Sequence, residues 1–198
     1  MAMRIGVLGG TFDPIHYGHL AIAEEARAAL GLDRVLLVPA AQQPFKLGST
    51  VTPAGQRLEM VRLACLGNPA FEASPVELER PGPSYTATTL EELRARLGGE
   101  LFFIIGGDAV RDMPRWRRAA DLPVLAQIVI VQRPFVTLDV ERLVNELPPL
   151  RGRYTLLDGP SIEISSTELR ARVATGRPIR YLVPDPVATY IAEHHLYR

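Results

Sequence analysis

RIGVLGGTFDPIHYGH, residues 4–19, is an apolar run that ends at a glycine pair and continues through a loop to two histidines. The apolar part, residues 4–9, is short and stopped by glycine, which is typical of a buried strand. Residues 19–30 are rich in helix formers and predict a helix. Residues 34–39 are a second β-branched run, closed by proline. The three segments predict a right-handed βαβ unit and therefore a parallel sheet.

The rest of the chain repeats this alternation. Helices are predicted over residues 56–66, 86–97 and 187–195, and buried strands over residues 101–105 and 128–131. There is no internal repeat, low-complexity tract or long linker, so we expect one domain over residues 1–198. The predicted fold is α/β, a doubly wound, Rossmann-like, mostly parallel sheet with helices on both faces. Ligands of such sheets bind beyond the carboxyl ends of the strands.

The composition limits the classes of partner. The 198 residues include 22 Lys and Arg and 22 Asp and Glu, so no net positive field attracts nucleic acid. No apolar run approaches the ~18 residues that span a bilayer, so no membrane partner is expected. The single cysteine, Cys65, excludes an intramolecular disulfide and a cysteine zinc site. We expect a cytoplasmic protein with small-molecule substrates, as either a monomer or a homo-oligomer.

The loop after the first strand has the features of a phosphate-binding site. Gly9 and Gly10 let main-chain N–H groups approach a ligand, and the following helix N-terminus adds unpaired donors and a positive dipole end. His16 and His19 would face the same ligand. The spacing lacks the GxGxxG fingerprint and the Walker A lysine, which excludes ordinary dinucleotide binding and P-loop chemistry. Taken alone, the pattern also fits a glycine turn with two surface histidines.

A second phosphate cradle is predicted late in the chain. In ISSTELR, residues 164–170, a Ser or Thr can cap a helix while Arg170 lies about one turn inside it. Taken alone, this segment also fits an ordinary capped surface helix. The combination of the two cradles favours a phosphate-binding site.

These two segments, GGTFDPIHxGH and ISSTxxR, resemble the motifs of the HxGH nucleotidyltransferase superfamily. Within it the chain is similar to the bacterial nicotinate-nucleotide adenylyltransferases, because it also carries RLEMV at 57–61, SYT at 84–86, IGGD at 105–108 and Trp116. The resemblance implies adenylyl transfer from ATP to nicotinate mononucleotide, with Mg²⁺. The products would be deamido-NAD, an intermediate of NAD biosynthesis, and pyrophosphate.

The resemblance also implies roles for individual residues. His16 and His19 would be catalytic, with His19 stabilising charge at the α-phosphoryl group. The residues expected to bind ATP are Gly9, Gly10, Thr11, Phe12, His16, His19, Gly106, Asp108, Ser165, Ser166, Thr167 and Arg170. Those expected to bind nicotinate mononucleotide are Lys46, Tyr85, Thr86, Trp116 and Arg133. The chain departs from the family at Phe45, where members often carry a histidine before the lysine.

The chemistry of the acceptor explains why no catalytic base is visible. A phosphate monoester has a second pKa near ~6, so its attacking oxygen is mostly ionised near neutral pH. Direct in-line attack then needs positioning and positive charge, and no covalent enzyme intermediate is expected. We expect Mg²⁺ to be held by phosphate oxygens and water, with no protein metal ligands. N–H groups around Tyr85 and Thr86, at a helix start, would select the carboxylate of nicotinate over the amide.

For several residues the sequence also allows a structural role. Asp108 fits a helix N-cap, and Trp116 fits a partly buried aromatic residue. Arg57 fits either a surface charge or a structural role, and Cys65 is expected in the core. A solvated helix face is expected for the arginines beside the tryptophan, Arg115, Arg117 and Arg118.

Three other functions are compatible with parts of the pattern. A related adenylyltransferase, such as one acting on phosphopantetheine, would share both cradles but has no reason to combine the SYT motif with Trp116. A non-catalytic ATP-binding module would lack a motif histidine or the late arginine, and none is missing. A class I aminoacyl-tRNA synthetase also uses His-x-Gly-His, but 198 residues leave no room for a tRNA-binding domain.

Overall fold

The computed structural model describes residues 2–42, 52–132 and 138–198. Within these residues, six parallel strands form one sheet in the order β3-β2-β1-β4-β5-β6. The strands are β1 (Arg4–Gly10), β2 (Arg34–Pro39), β3 (Phe71–Ala73), β4 (Glu100–Gly106), β5 (Gln127–Gln132) and β6 (Tyr154–Asp158). The predicted parallel, doubly wound sheet is confirmed.

Helices follow most of the strands along the chain. They are α1 (Tyr17–Leu30), α2 (Ala54–Cys65), α3 (Thr86–Leu97), α4 (Gly107–Val110), α5 (Leu122–Leu125), α6 (Val140–Glu146), α7 (Ser166–Ala174) and α8 (Asp185–Glu193). Short 3-10 turns lie at Met113–Arg115, Ala119–Asp121 and Pro148–Leu150. The four helices predicted from helix formers and apolar spacing are present, with ends that differ by at most about two residues from those expected.

The strand order places a ligand crevice at the centre of the sheet. The chain moves outward from β1 through β2 to β3, and then returns to β4 on the opposite side of β1. Val7 of β1 accordingly pairs with Leu36 of β2 on one side and Phe103 of β4 on the other. Ligands of open α/β sheets bind outside the carboxyl ends of the strands at such a reversal. The glycine pair that ends β1 lies at this point.

Apolar side chains cover both faces of the sheet. On one face, α3, α5 and α6 pack against the strands through residues such as Leu90, Leu122 and Leu143. On the other, α1, α2, α7 and α8 contribute a second core. Burial on both faces explains why β1, β4 and β5 are nearly continuous apolar runs. In the described part of the chain, no helix is long and apolar enough to cross a membrane.

Cys65, expected in the core, is half-buried at the end of α2, where it packs against the second core. Burial raises the pKa of its thiol to about 11.

Candidate active site

The two motif histidines lie at the start of α1 with their rings stacked. The ring centroids of His16 and His19 are 3.7 Å apart and the rings are tilted by 23°. The main-chain N–H of His16 donates to Nδ1 of His19 at 3.3 Å. A ring nitrogen that accepts a hydrogen bond carries no proton, so the neutral His19 ring holds its proton on Nε2. His19 is half-buried, whereas His16 is buried, so His19 is the more accessible of the two.

Phe12 holds His19 from the side. The two rings meet edge to face with centroids 5.0 Å apart, and Phe12 is fully buried. A Cβ on Gly10 would lie 2.8 Å from the Phe12 ring, so glycine leaves the space that this ring occupies. Because the Phe12 side chain is buried, only the main chain of this residue could make the predicted contact with ATP.

Gly18, between the two histidines, provides space for the first of them. A Cβ on Gly18 would lie 3.0 Å from Nδ1 and 3.1 Å from Cε1 of His16. The His16 ring would have to move by a few tenths of an ångström to accept it. Glycine at this position of the His-x-Gly-His motif therefore leaves room for the ring of the first histidine, His16.

Helix α7 begins beside the same loop. Ser165 caps the helix, since its Oγ accepts the N–H of Glu168 at 3.2 Å. The hydroxyl of Ser166 donates to the carbonyl of Pro14 at 2.9 Å. The two predicted phosphate cradles are thus brought together by a contact between residues 152 positions apart.

Arg170 makes the second contact between α7 and this loop. Its Nη1 donates to the carbonyl of Asp13 at 2.8 Å, and its Nη2 donates to the hydroxyl of Thr167 at 3.3 Å. The expected alternative of an ordinary surface helix does not describe this half-buried arginine. A guanidinium has five N–H donors, so these two contacts leave others for an anionic ligand.

The carboxylate of Asp13 is held from below the loop. Oδ1 accepts the hydroxyl of Tyr197 at 2.6 Å, and Oδ2 accepts the N–H of Thr52 at 3.3 Å. Burial raises the pKa of Tyr197, and the hydrogen bond to Asp13 raises it further. The phenol therefore stays protonated and remains a donor to the buried carboxylate.

A cavity of about 300 Å³ opens beside the glycine pair. It is lined by the ends of β1 and β2, the first turns of α3 and the segment around the tryptophan. The lining residues are Val7, Gly9, Gly10, Val38, Ala40, Glu77, Ser84, Tyr85, Thr86, Thr89, Leu90, Phe103, Arg115, Trp116 and Arg117. Gly9 and Gly10 belong both to this cavity and to the loop that leads to the histidines, so the two parts of the site share a wall.

Three of the predicted acceptor-binding residues line this cavity. Helix α3 begins at Thr86 with Tyr85 as its N-cap, so both lie at the end of the helix where main-chain N–H groups lack intrahelical partners. Trp116 is half-buried and meets Phe103 edge to face, with centroids 6.2 Å apart. Both functions considered for this tryptophan, a packed aromatic residue and a wall for a ring-shaped ligand, are compatible with this position.

The arginines beside Trp116 do not form the helix face expected from the sequence. Arg115 ends a short 3-10 turn, the tryptophan is extended and Arg118 has a left-handed backbone. Arg117 lies over the Tyr85 ring, with Cζ 4.7 Å from its centroid, and Arg118 pairs with Glu91 and Asp121. All three arginines are exposed, as expected. Because their backbone conformations differ, the three side chains point in different directions and contact different partners.

A buried polar network closes one side of the cavity. The Glu77 carboxylate is only 7% exposed and accepts the hydroxyl of Thr89. Arg80 donates to Thr89 at 2.7 Å and to Glu92 at 2.6 Å, and lies 3.9 Å from Glu77. Thr89 is in the first turns of α3, so this network fixes the end of the helix that carries Tyr85.

Gly106 is the last residue of β4, which pairs with β1 at the crevice, and Asp108 lies two residues further along the chain. Gly106 is the N-cap of α4, and Asp108 is an exposed residue within the first turn. The expected N-cap role for Asp108 is therefore wrong. The Asp108 carboxylate is exposed, and its contact with the ribose of ATP stays a prediction.

Two predicted acceptor-binding residues, Lys46 and Arg133, lie outside the described residues. Among residues 2–42, 52–132 and 138–198, no group of three or more His, Cys, Asp or Glu side chains is arranged to hold a metal ion.

Several residues that support the site were not predicted from the sequence to bind a substrate or to act in catalysis. Arg57 is 2% exposed, so the surface charge considered for it is wrong. Asp13 and Gly18 could have been singled out because they lie inside the first motif. No sequence pattern predicts the contact between Tyr197 and the loop that contains Asp13. The residues in question are Asp13, Gly18, Arg57, Glu77, Arg80, Thr89 and Tyr197.

The sequence of this chain matches a known protein family. A family model described as cytidylyltransferase-like matches residues 7–172, which run from β1 into α7. Fold and site therefore define a nucleotidyltransferase of the cytidylyltransferase-like class. A "Probable nicotinate-nucleotide adenylyltransferase" of Roseiflexus sp. (strain RS-1) is 55% identical over 98% of both chains, and one of Herpetosiphon aurantiacus is 48% identical with the same coverage. The chain belongs to the nicotinate-nucleotide adenylyltransferase family of enzymes.

The fold is also that of a solved structure. The Plasmodium falciparum nicotinic acid mononucleotide adenylyltransferase complexed with NaAD superposes with a TM-score of 0.79 over 98% of this chain and 97% of that one. At 20% identity, this likeness concerns the fold.

Proposed function

We propose that this chain transfers the adenylyl group of ATP to nicotinate mononucleotide, giving deamido-NAD and pyrophosphate in NAD biosynthesis. The observation that carries the proposal is the shared wall at Gly9 and Gly10. On one side it leads to the stacked histidines and the start of α7, and on the other it lines the cavity that holds Tyr85 and Trp116. Relatives up to 55% identical over nearly the whole chain carry the name of this activity.

The donor half holds the triphosphate of ATP. The main chain of the loop after β1, the first turn of α7 and Arg170 supply N–H donors and positive charge to the phosphates. Nε2–H of His19 donates to an oxygen of the α-phosphoryl group, where negative charge develops during transfer. ATP would enter as its magnesium complex, with the ion held by phosphate oxygens and water and neutralising part of the phosphate charge. The one buried carboxylate of this loop, Asp13, is already engaged by Tyr197 and Thr52.

The acceptor half holds the pyridine ring against Trp116 and directs its carboxylate to the N–H groups at the start of α3. The acceptor phosphate then attacks the α-phosphorus, a new P–O bond forms, and the bond to the bridging oxygen breaks as pyrophosphate leaves. The attacking oxygen is already ionised near pH 7, so no side chain has to remove a proton. Positioning two anions side by side is the main task of the protein.

A product assay tests this function. The protein is incubated with ATP and Mg²⁺ and, in separate reactions, with nicotinate mononucleotide, nicotinamide mononucleotide or phosphopantetheine, and pyrophosphate release and product mass are followed. We expect deamido-NAD, and a kcat/KM at least ~10–100-fold higher for the acid than for the amide, because the amide leaves a buried donor unpaired. Equal rates with both nucleotides, product from phosphopantetheine, or a competent adenylylated enzyme would each contradict the proposal.

A further inference from the structure

Arg57 contacts two loops at the site, the one after β1 and the one between β2 and α2. It is in the first turn of α2, and its guanidinium donates to the carbonyl of Thr11 at 2.7 Å, of Ala41 at 3.3 Å and of Thr52 at 2.8 Å. Thr11 belongs to the loop that leads from β1 to the histidines. Ala41 belongs to the loop that follows β2, next to Ala40 in the wall of the cavity. One side chain therefore joins the donor half of the site to the acceptor half.

Arg57 is kept charged in a place where charge is costly. Burial lowers its pKa, and the negative charge of Asp13 is the largest opposing influence. An apolar side chain could fill the same space without the cost of burying a charge. It could not hold three carbonyl groups from these two loops, which is what the planar fork of an arginine does well.

The link continues from Ala41 to the start of α3. The N–H of Ala41 donates to Oγ of Ser84 at 2.9 Å, and the N–H of Ser84 donates to the carbonyl of Gln42 at 2.9 Å. Ser84 is followed directly by Tyr85, the N-cap of α3. A continuous series of hydrogen bonds thus runs from Thr11, beside the histidines, through Arg57 and Ser84 to the donors proposed for the acceptor.

We propose that Arg57 is a positioning residue that sets the separation between the bound ATP and the bound acceptor, acting through the carbonyls of Thr11 and Ala41. The inference rests on the proposed function. In this arrangement the Arg57 side chain itself touches neither substrate. Its effect is on the rate of the chemical step, because a shift of about 1 Å between reacting groups costs on the order of 10²-fold in rate.

The test compares Arg57→Lys, Ser84→Ala and the double variant with the wild type. Lysine keeps the positive charge near Asp13 but has no fork to hold three carbonyls. We expect kcat of Arg57→Lys to fall by about 10²-fold, with the KM for ATP changed by less than about 3-fold. Ser84→Ala should lower kcat as well, and the double variant should be little slower than the slower single variant because both interrupt one link. Unchanged kcat in a folded single variant, or multiplied effects in the double variant, would overturn the inference.

Arg34→Lys is the matched control. Arg34 is a half-buried arginine paired with Glu72 at the opposite, amino-terminal end of the sheet, so its replacement should leave kcat unchanged.

Amide hydrogen exchange gives a readout that does not depend on turnover. In Arg57→Lys, residues 10–12 and 40–42 should both exchange faster than in the wild type. In Ser84→Ala, only residues 40–42 should do so. Faster exchange of one loop alone in Arg57→Lys would overturn the coupling. If the wild type itself does not turn over nicotinate mononucleotide, the proposed function fails, and the exchange data still decide whether Arg57 joins the two loops.

Discussion

The guanidinium of Arg170 donates a 2.8 Å hydrogen bond to the main-chain carbonyl of Asp13, a residue 157 positions earlier in the chain. Together with the bond from Ser166 to Pro14, it fastens α7 to the loop before the histidines. The same arginine therefore shapes the loop after β1, and in the proposed function its remaining N–H groups bind phosphate.

Replacing Arg170 by alanine should lower kcat/KM for ATP by ~10–100-fold. A hydrogen bond to a charged group contributes about 1.5–3 kcal/mol, and the variant also loses the anchor at Asp13. Arg170→Lys should recover only part of this loss, because lysine has no planar fork. Steady-state kinetics with varied ATP provide the measurement. Arg172→Ala, on the same helix but paired with Glu168, is the control and should match the wild type.

His19→Ala should lower kcat by roughly 10²–10³-fold, the usual cost of removing one preorganised donor to developing charge. The protein should remain folded, since the residue is half-buried at the start of a helix. His194→Ala, at an exposed position after α8, should have no effect on kcat. Turnover of folded His19→Ala near the wild-type rate would remove His19 from the mechanism.

Gly18→Ala should separate stability from activity. Alanine favours a helix over glycine by about 1 kcal/mol, which offsets the cost of moving the His16 ring. Because that ring is stacked on His19, we expect kcat to fall about 10-fold with little change in Tm. Gly55→Ala in α2 is the matched control, because its Cβ would meet nothing within 4 Å. It should raise stability by about 0.5–1 kcal/mol and leave kcat unchanged.

Thr89→Val should weaken selection of the acid. The substitution keeps the shape of the side chain but removes the hydroxyl that binds Glu77 and accepts from Arg80. A buried carboxylate without this donor costs about 1–3 kcal/mol, and the start of α3 loses its fixed position. We expect kcat/KM for nicotinate mononucleotide to fall about 10-fold and kcat/KM for the amide to fall less, so that the acid-to-amide ratio decreases. The neighbouring half-buried Thr88→Val should keep the wild-type ratio.

The raised pKa of Cys65 predicts a specific pH dependence of stability. In the native protein the thiol titrates at about 11, whereas in the unfolded chain it titrates near ~8.5. Between these values the unfolded chain has released the proton and the native protein has kept it, so stability falls as the pH rises. Wild type should therefore lose more unfolding free energy than Cys65→Ala between about pH 8.5 and 11. Equal losses in urea titrations across that range would contradict the burial of this thiol.

Apolar runs and helix formers predicted the central strands and the main helices, but the edges of the sheet escaped prediction. Strand β3 has three residues, too few to show a period. Strand β6 lies at the other edge of the sheet in the described part of the chain, and its residues are half-buried or exposed. Neither carries the continuous apolar run that marked the buried strands.

The site was predicted where its residues lie within motifs and was missed where they act across the chain. Arg57 donates to main-chain carbonyls up to 46 residues away, and a carbonyl leaves no trace in a sequence. Glu77 and Thr89 are 12 residues apart and meet only because α3 folds back on the segment before it. Sequence patterns indicate contacts between neighbouring positions, so the side chains that hold the site from distant positions are visible only in the structure.

The hydrogen bond from Tyr197 to Asp13 spans 184 positions, which has a consequence for the order of events during synthesis. The β1-α1-β2 unit, with its glycine pair and both histidines, emerges early from the ribosome. Ser166, Arg170 and Tyr197, which fix the loop between β1 and α1, emerge much later. A nascent chain that has reached β6 therefore carries the glycine and histidine motif without these late contacts. If the loop binds ATP as proposed, its site is complete only late in translation, after all six strands have been made.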